Sequence, residues 1–449
     1  MSKQLRLHPF DVKLVQCDPP EALHKNCNTP CKRRQRRTRT LITRHTDVPA
    51  LLIAAVGVYH CPTCQRHWTS QPPDARPYAL YAESVRNLAI DSIDEDGMPM
   101  RRVARRLGRD FGLSPHHSTP RQWWLEAAEA INTDVIEAQA ISHFSGVLCL
   151  DEVYDGPFAI LVATDPVQDC QVAYIVDKTI KAQHVERLVD GLARRGLSPA
   201  MVLTDDSSLY PAVLARVWPR AKHALCHFHF SMHVTDAAVE VVRQIHAKMP
   251  VPPKRKRGRP PKRGRPRKDK AKRASRRAVW KARYLVVKHW QKMDAKELVA
   301  LAGAMMLAPQ LTVVRQFIDE YYGLFEGCPT PHRARVRRDK FVVKWSSSQW
   351  PSLAKVARKL GDEAVWKKLV APLSFIDAPR TTNHVEGDNR TFRKRQKAHY
   401  RLRSKRSVVG LRRVLLARSA RRRTGCKLLY RFGRYAGTPV RTASTRSGG

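Results

Sequence analysis

Between Ser145 and Met249 the chain changes its rhythm, and that stretch restricts the fold more than any other. Three short apolar runs rich in β-formers follow one another directly, over residues 147–150, 158–163 and 171–176. Asp-Gly-Pro and Asp-Pro-Val punctuate them, so the runs read as strands joined by tight turns. A helix over 182–195 comes next, with Val185, Leu188, Val189 and Leu192 at helical spacing. Then follow a strand (201–203), a helix (209–218), a strand (221–226) and a helix from about residue 232. The order β-β-β-α-β-α-β-α predicts a mixed α/β sheet with an antiparallel start.

This expected sheet carries carboxylates at telling places. Asp151 follows the apolar run 146–150 on the first strand, and Asp205 ends the run 201–205 on the fourth. A third acid, Glu386, lies in Thr381-Thr382-Asn383-His384-Val385-Glu386-Gly387-Asp388-Asn389. It comes 181 residues after Asp205, and residues 276–370 between them read as long helices rich in Trp, Tyr and Leu, which makes them a helical insertion. Carboxylates are scarce here: 39 Asp plus Glu face 83 Lys plus Arg, for a formal net charge of +44. Any one of the three alone reads as a solvated strand end or cap. Together they suggest bound hard cations such as Mg²⁺, which prefer carboxylate oxygens.

So basic a chain implies a polyanionic partner, and nucleic acid is the default. The longest apolar stretch, 48–59, is too short to span a bilayer and lacks signal-peptide flanks, so no membrane partner is expected. The expected location is cytoplasmic and nucleoid-associated. Charge is also unevenly placed: residues 254–283 hold seventeen Lys or Arg and one acid, and none follows Asp388. The low-complexity segment 250–267 cannot bury a core and is expected to be extended and flexible. Inside it, Arg257-Gly258-Arg259-Pro260 and Arg263-Gly264-Arg265-Pro266 resemble the core of the AT-hook, in which Arg-Gly-Arg enters a narrow A·T minor groove.

Ten cysteines in 449 residues do not form a disulfide framework. Four of them make two close pairs, Cys27-x3-Cys31 and Cys61-x2-Cys64, the second in a knuckle-shaped His60-Cys61-Pro62-Thr63-Cys64. Four thiolates so arranged suit a tetrahedral structural Zn²⁺. The first spacing is slightly wide, and Cys17 or His60 could replace one ligand. Further on, 98–111 and a segment opening at Thr119-Pro120 read as helices around a Gly112-Leu113-Ser114 turn, with Thr119 as N-cap. In a basic context this looks like a helix-turn-helix that reads DNA.

At this point the motifs resemble a known family. Leu150-Asp151-Glu152, Thr204-Asp205, Cys226-x-x-His229 and Asn383-x-x-Glu386-Gly387-x-x-Arg390 resemble the DDE transposases of prokaryotic insertion sequences, in the branch related to Mutator-like transposases. The resemblance implies an RNase H-like core interrupted by an all-α insertion, preceded by a zinc ribbon and a helix-turn-helix. It also implies that Asp151, Asp205 and Glu386 are the catalytic triad. They would hold two Mg²⁺ (or Mn²⁺) per active site, with a structural Zn²⁺ elsewhere. Cys226, His229, Asn383 and Asn389 would support the site. Asp206 directly follows Asp205, so either could be the second acid; the strand-end place after Thr204 favours Asp205. Three candidates share the Glu386 helix face at i, i+3 and i+4 spacing, Arg390, Arg393 and Lys397, and would hold phosphates of the scissile strand. The expected partner is double-stranded DNA, both terminal inverted repeats and target, bound by a homodimer or a larger assembly.

The domain reading is a zinc ribbon (1–80), a helix-turn-helix (81–140), a first part of the core (141–249), a basic linker (250–275), the insertion (276–375), a second part of the core (376–420) and a basic tail (421–449). The expected activity is metal-dependent cleavage and strand transfer of DNA ends. Rival readings are an inactive DNA-binding relative, which an intact triad disfavours, and a nuclease of the same fold that does not join ends.

Overall fold

The computed structural model describes residues 11–45, 48–72, 75–111, 115–251, 267–327, 330–375, 378–399 and 402–424. The four arginines of the AT-hook-like segment, Arg257, Arg259, Arg263 and Arg265, lie outside the described residues, as does the tail from 425.

Four strands open the chain: β1 (Asp11–Cys17), β2 (Lys32–His45), β3 (Val48–His60) and β4 (His67–Thr69). β3 is the centre of their sheet, pairing antiparallel with β2 and β4 and parallel with β1. It supplies the apolar side chains Leu52, Ala54, Val56 and Val58, all buried, while Lys32, Arg33, Arg34, Arg36 and Arg37 of β2 are exposed. Cys17, Ala54 and Val56, with Val15 against them, form a small cluster of their own, too little apolar surface to hold such a sheet alone, while Ile42 of β2 joins the larger core around the helices that follow. Cys17 belongs to that small cluster, which answers its candidacy as a metal ligand.

Four helices follow: α1 (Glu83–Asp94), α2 (Met100–Phe111), α3 (Ser118–Glu129) and α4 (Thr133–Ser142). The expected cap at Thr119 shifts slightly. α3 begins at Ser118, so Thr119 and Pro120 lie in its first turn, where a missing N–H costs nothing.

The second sheet has the predicted order: β5 (Val147–Asp155), β6 (Phe158–Asp165), β7 (Cys170–Asp177), α5 (Ala182–Arg194), β8 (Met201–Thr204), α6 (Pro211–Val217), β9 (Lys222–Leu225) and α7 (His227–Lys248). Its strands run β7-β6-β5-β8-β9. The β5–β6 and β6–β7 pairs are antiparallel, and β5–β8 and β8–β9 are parallel. Gly156, at φ +76, supplies the positive φ that the short β5–β6 hairpin requires.

A helical insertion comes next: α8 (Arg267–Lys281), α9 (Ala295–Leu307), α10 (Leu311–Gly323), α11 (Pro331–Trp345), α12 (Pro351–Gly361) and α13 (Glu363–Val370). With α7 it encloses a core of its own around Phe230, Val241, Phe317, Trp345, Leu360 and Trp366. The chain then returns to the sheet as α14 (Asn383–Ala398) and α15 (Lys405–Thr424).

Both faces of the sheet are covered. Leu148, Leu150, Leu161 and Val172 pack with Val185, Leu188 and Leu192 of α5 and Leu214 of α6. On the other face Val147, Cys149, Ile160 and Val162 join Val385 and Phe392 of α14 and Val408, Leu411 and Val414 of α15. This is why β6 reads as an unbroken apolar run rather than an alternation. One boundary departs from expectation. α7 starts at His227, so Cys226 is its N-cap residue, and His227 and His229 lie in its first turn rather than on a strand. No helix among the described residues is long and apolar enough to cross a membrane.

Candidate active site and N-terminal metal site

The parallel pairing of β5 with β8 brings the first two acids together. The register sets Cys149 opposite Leu203, so Asp151 and Asp205 each come two residues further along neighbouring strands, which lie about 4.8 Å apart. Two residues along a strand return to the same face, so Asp151 shares the side of Cys149, where α14 packs. α14 carries Glu386 in its first turn. The charges of Asp205 and Glu386 both act on Asp151, whose carboxyl is pushed up to about 6, chiefly by burial. Glu152 is also pushed up, to about 7, by burial, and accepts a 2.6 Å hydrogen bond from Tyr210 Oη. The structure therefore gathers the three expected acids at one place. It does not close them into a cage: among the described residues no three of these carboxylates bring their oxygens within 4.8 Å of one another.

Burial alone does not mark a reactive acid here. Asp165 is fully buried on the next strand, but its oxygens accept from Ser145 N, Ser145 Oγ, Val167 N and Gln168 N, at 2.7 to 3.0 Å. It holds a turn. Among the described residues Asp151 has a single side-chain donor, Asn389 Nδ2 at 3.0 Å. Asn389 Oδ1 in turn accepts from Arg412 Nη2 at 3.1 Å. All three are buried, Arg412 completely, and its guanidinium lies 4.3 Å over the Phe392 ring. Burial pushes Arg412 down to about 10, while Asp388 favours its charge. Arg412 on α15 thus fixes Asn389, and Asn389 fixes Asp151. Sequence reading placed Asn389 at the site but missed Arg412. Its signal is faint: one Arg among seven in α15 that happens to face inward.

Cys226 ties this assembly to the strand end. Its Sγ accepts from Thr382 N and meets Thr382 Oγ1, both at 3.3 Å, and Thr382 is the N-cap residue of the Glu386 helix. His227 N donates to Arg380 O at 2.9 Å. His229, one turn into α7, feels the charges of Cys226, Asp151 and Asp205, which push it up to about 9, with the contact to Cys226 the largest cause. Asn383 is exposed at the first position of α14. Arg390, Arg393 and Lys397 are exposed along the same helix and enter no ion pair among the described residues. Asp206 points elsewhere, in an ion pair with Lys359 of α12. Among the described residues the Asp205 carboxylate accepts only from its own turn, Ser207 N at 3.0 Å.

The N-terminal sheet holds a second constellation. His24, Cys27, Cys61 and Cys64 bring their ligand atoms within 4.8 Å of one another. His24 Nδ1 lies 3.3 Å from Cys27 Sγ and 3.6 Å from Cys64 Sγ. A tetrahedron with Zn–S of about 2.3 Å and Zn–N of about 2.0 Å has ligand–ligand edges of roughly 3.5–3.8 Å, so the donors fit that ion. Cys31, expected as the fourth ligand, is not in the group; its Sγ donates to Thr29 O at 3.3 Å. His60 is also outside it. The reason lies in the turns. His24-x2-Cys27 repeats the spacing of Cys61-x2-Cys64, and each second cysteine is followed by a residue at positive φ, Asn28 at 48° and Gln65 at 56°. Cys27-x3-Cys31 breaks that symmetry. The His-x2-Cys spacing was visible in the sequence, and counting cysteines alone passed over it.

Comparison with known proteins follows from here. A family profile described as transposase, the DDE transposases of ISL3 type, matches residues 154–407, a span that contains Asp205 and Glu386 and begins just after Asp151. No curated protein sequence matches the chain. Among solved structures, the Drosophila P element transposase strand transfer complex aligns at 12% identity with a TM-score of 0.36, covering 76% of this chain and 93% of that one. A likeness at that score carries no argument.

Proposed function

The chain belongs to the ISL3-type family of DDE transposases, and on that premise we propose that Asp151, Asp205 and Glu386 form the catalytic centre of a metal-dependent DNA cleavage and strand-transfer reaction. The observation that carries this reading is the juxtaposition of Asp151, midway along β5, with Asp205, just past the end of the register-matched β8, and with Glu386 from the helix packed on that sheet. The sheet order β7-β6-β5-β8-β9, with its antiparallel half and parallel half, supports an RNase H-like core. Two divalent cations bound by these acids would activate a water or a DNA 3′-hydroxyl and stabilise the leaving oxygen. The donor set fits: three carboxylates of like charge, facing one another, are suited to hard cations that keep part of their water.

The chain's own residues do the rest. Asn389, held by Arg412, keeps the Asp151 carboxylate oriented from outside the site. Cys226 and Thr382 fix the start of the Glu386 helix against the end of the sheet. Arg390, Arg393 and Lys397 offer a line of cations for backbone phosphates. His24, Cys27, Cys61 and Cys64 would hold one structural Zn²⁺ and stiffen the N-terminal sheet, whose own core is small. DNA ends and target DNA are the proposed substrates, and a multimer on DNA is the proposed working form.

The test is to incubate the purified chain and Mg²⁺ with the element's own ends. Nicked ends and products joined to a second duplex are expected. Nicks without joined products would favour the nuclease reading, and end binding without nicks would favour the inactive relative.

A further inference from the structure

The expected helix-turn-helix does not present its second helix. α3 turns Trp124, Leu125 and Ala128 into the core, where Gly410 of α15 lies against all three. Its polar side is occupied as well. Arg121 donates to Ser407 Oγ at 2.9 Å, Glu126 pairs with Arg76 and Arg86, and Glu129 pairs with Arg406. A helix that reads base edges needs several free side chains near its start, and α3 has few.

α2 is the reverse case. Val103 and Leu107 are buried, while Arg101, Arg102 and Arg105 are exposed and enter no ion pair among the described residues. Arg106 and Arg109 of the same helix are paired with Asp96 and Asp110. The three free arginines line one wall of a groove of about 860 Å³. Arg121, His117 and, from the segment between α14 and α15, Arg403 complete its charged lining, and no acid lines it. Desolvation lowers the His117 pKa, with smaller contributions from His116, Arg101 and Arg121. His399, at the C-terminal end of α14, also lines the groove.

α14 therefore links two places. Glu386 is in its first turn, and His399 ends it thirteen residues later, about 20 Å along a helix axis. Glu386, Arg390, Arg393 and Lys397 recur at helical spacing and form one exposed stripe between them. At about 3.4 Å per base pair, 20 Å corresponds to roughly six base pairs of duplex.

Resting on the transposase reading, we infer that a DNA duplex lies along this stripe and that its backbone, roughly six base pairs from the phosphate at Glu386, enters the groove between α2 and the α14–α15 segment. The groove's unopposed cations suit the phosphates of a DNA backbone, and the lysine variant below separates phosphate contact from an arginine fork reading guanine. α2, not α3, is the DNA-contacting member of the helix pair.

The experiment measures binding of the full chain to a short labelled duplex of mixed sequence across a salt series. Replacing Arg101, Arg102 and Arg105 together by Ala should make the log–log salt slope shallower by about 2.7, for three phosphates at about 0.9 each. Replacing all three by Lys should restore the slope, since a phosphate needs only a positive charge. Arg403→Ala, on the opposite wall, should remove about 0.9. Arg216→Ala, on α6 and ion-paired, should change nothing and controls for net charge. Unchanged slopes for both the triple Ala variant and Arg403→Ala, with an unmutated chain that binds and nicks DNA, would overturn the groove assignment alone. A slope lost in the Lys variant as well would replace phosphate contact by geometry-specific readout and overturn it too. An unmutated chain that neither binds nor cleaves DNA would take the transposase reading down with it. If the triple Ala variant does not fold, Arg403→Ala decides, because it lies outside any helix.

Discussion

Two constellations of metal-type ligands sit in this chain, and they are built in opposite ways. The N-terminal one is local and closed: His24, Cys27, Cys61 and Cys64 converge within 4.8 Å from two tight turns of equal spacing. The other is distributed and open. Asp151 and Asp205 come from the middle of one strand and the end of its neighbour, Glu386 from a helix beyond a whole helical insertion, and among the described residues their oxygens stay apart. The contrast follows ligand chemistry. Soft thiolates and an imidazole around a four-coordinate ion leave no position for a substrate, and their role is to fold a sheet with little core. Hard carboxylates on a rigid scaffold leave coordination places to water and phosphate oxygens, which an ion that transfers phosphoryl groups requires. The closed site would serve the fold, and the open one the reaction.

The largest expected effect tests the open site. Asp151→Asn, Asp205→Asn and Glu386→Gln should each abolish DNA cleavage while duplex binding and zinc content persist, because a metal ligand is lost and the basic surface is not. A variant that loses binding in step with cleavage would show that its acid serves the fold. That result would erase the distinction between the two sites.

Next comes the closed site. The purified chain should carry about one Zn²⁺, which His24→Ala, Cys27→Ser, Cys61→Ser or Cys64→Ser should each release, with loss of the N-terminal sheet, because binding and folding are coupled. Cys31→Ser should keep the metal. Elemental analysis decides, and zinc lost in Cys31→Ser but kept in His24→Ala would restore the four-cysteine assignment. Zinc in excess of one per chain that disappears with Cys226→Ala would give the Cys226–His229 pair a metal of its own, against its present role as a staple to Thr382.

How far each site could be read from the sequence differs for the same reason. The open site was legible because sheet order and strand ends are written in apolar runs: Asp151 and Asp205 end or follow such runs, and the β-β-β-α-β-α-β-α order fixes which strands are neighbours. The closed site was half legible. Cys61 and Cys64 announce themselves, whereas His24 is one of 18 histidines and its role depends on a turn geometry set by Asn28. Cys226 and His229 were assigned to a strand because the apolar run 221–226 does not mark where α7 begins. Arg412 and the covered face of α3 were hidden because long-range packing decides them: an Arg on a helix of seven arginines faces inward only when Asn389 and Phe392 are there to meet it.

A smaller effect sharpens the open site from behind. Asn389→Ala removes the side-chain donor that Asp151 has among the described residues and takes an acceptor from a fully buried guanidinium. An unsatisfied buried polar group costs about 1–3 kcal/mol and a charged one more, so thermal unfolding should shift downward. Cleavage should fall while substrate affinity holds. Arg412→Lys should not rescue the function, because a lysine lacks the planar fork that reaches Asn389 while stacked on Phe392. A fall in stability with cleavage at the unmutated rate would reduce the Asn389–Arg412 pair to packing.

The smallest effect separates two neighbours. Asp205 and Asp206 adjoin in sequence, and only their surroundings tell them apart. Asp205 follows β8 beside the middle of β5 and acts on Asp151, whereas Asp206 turns away to Lys359 on the helical insertion. That ion pair is partly exposed, and such pairs contribute about 0–1 kcal/mol. Asp206→Asn should therefore cost little stability and leave cleavage close to the unmutated rate, while Asp205→Asn abolishes it. The comparison needs the same DNA, the same Mg²⁺ concentration and both single variants side by side. Loss of cleavage in Asp206→Asn with retention in Asp205→Asn would move the second ligand by one residue. It would also mean that the side chain next to Lys359 leaves that lysine to reach the metal, so that the helical insertion, through Lys359, controls when the site assembles.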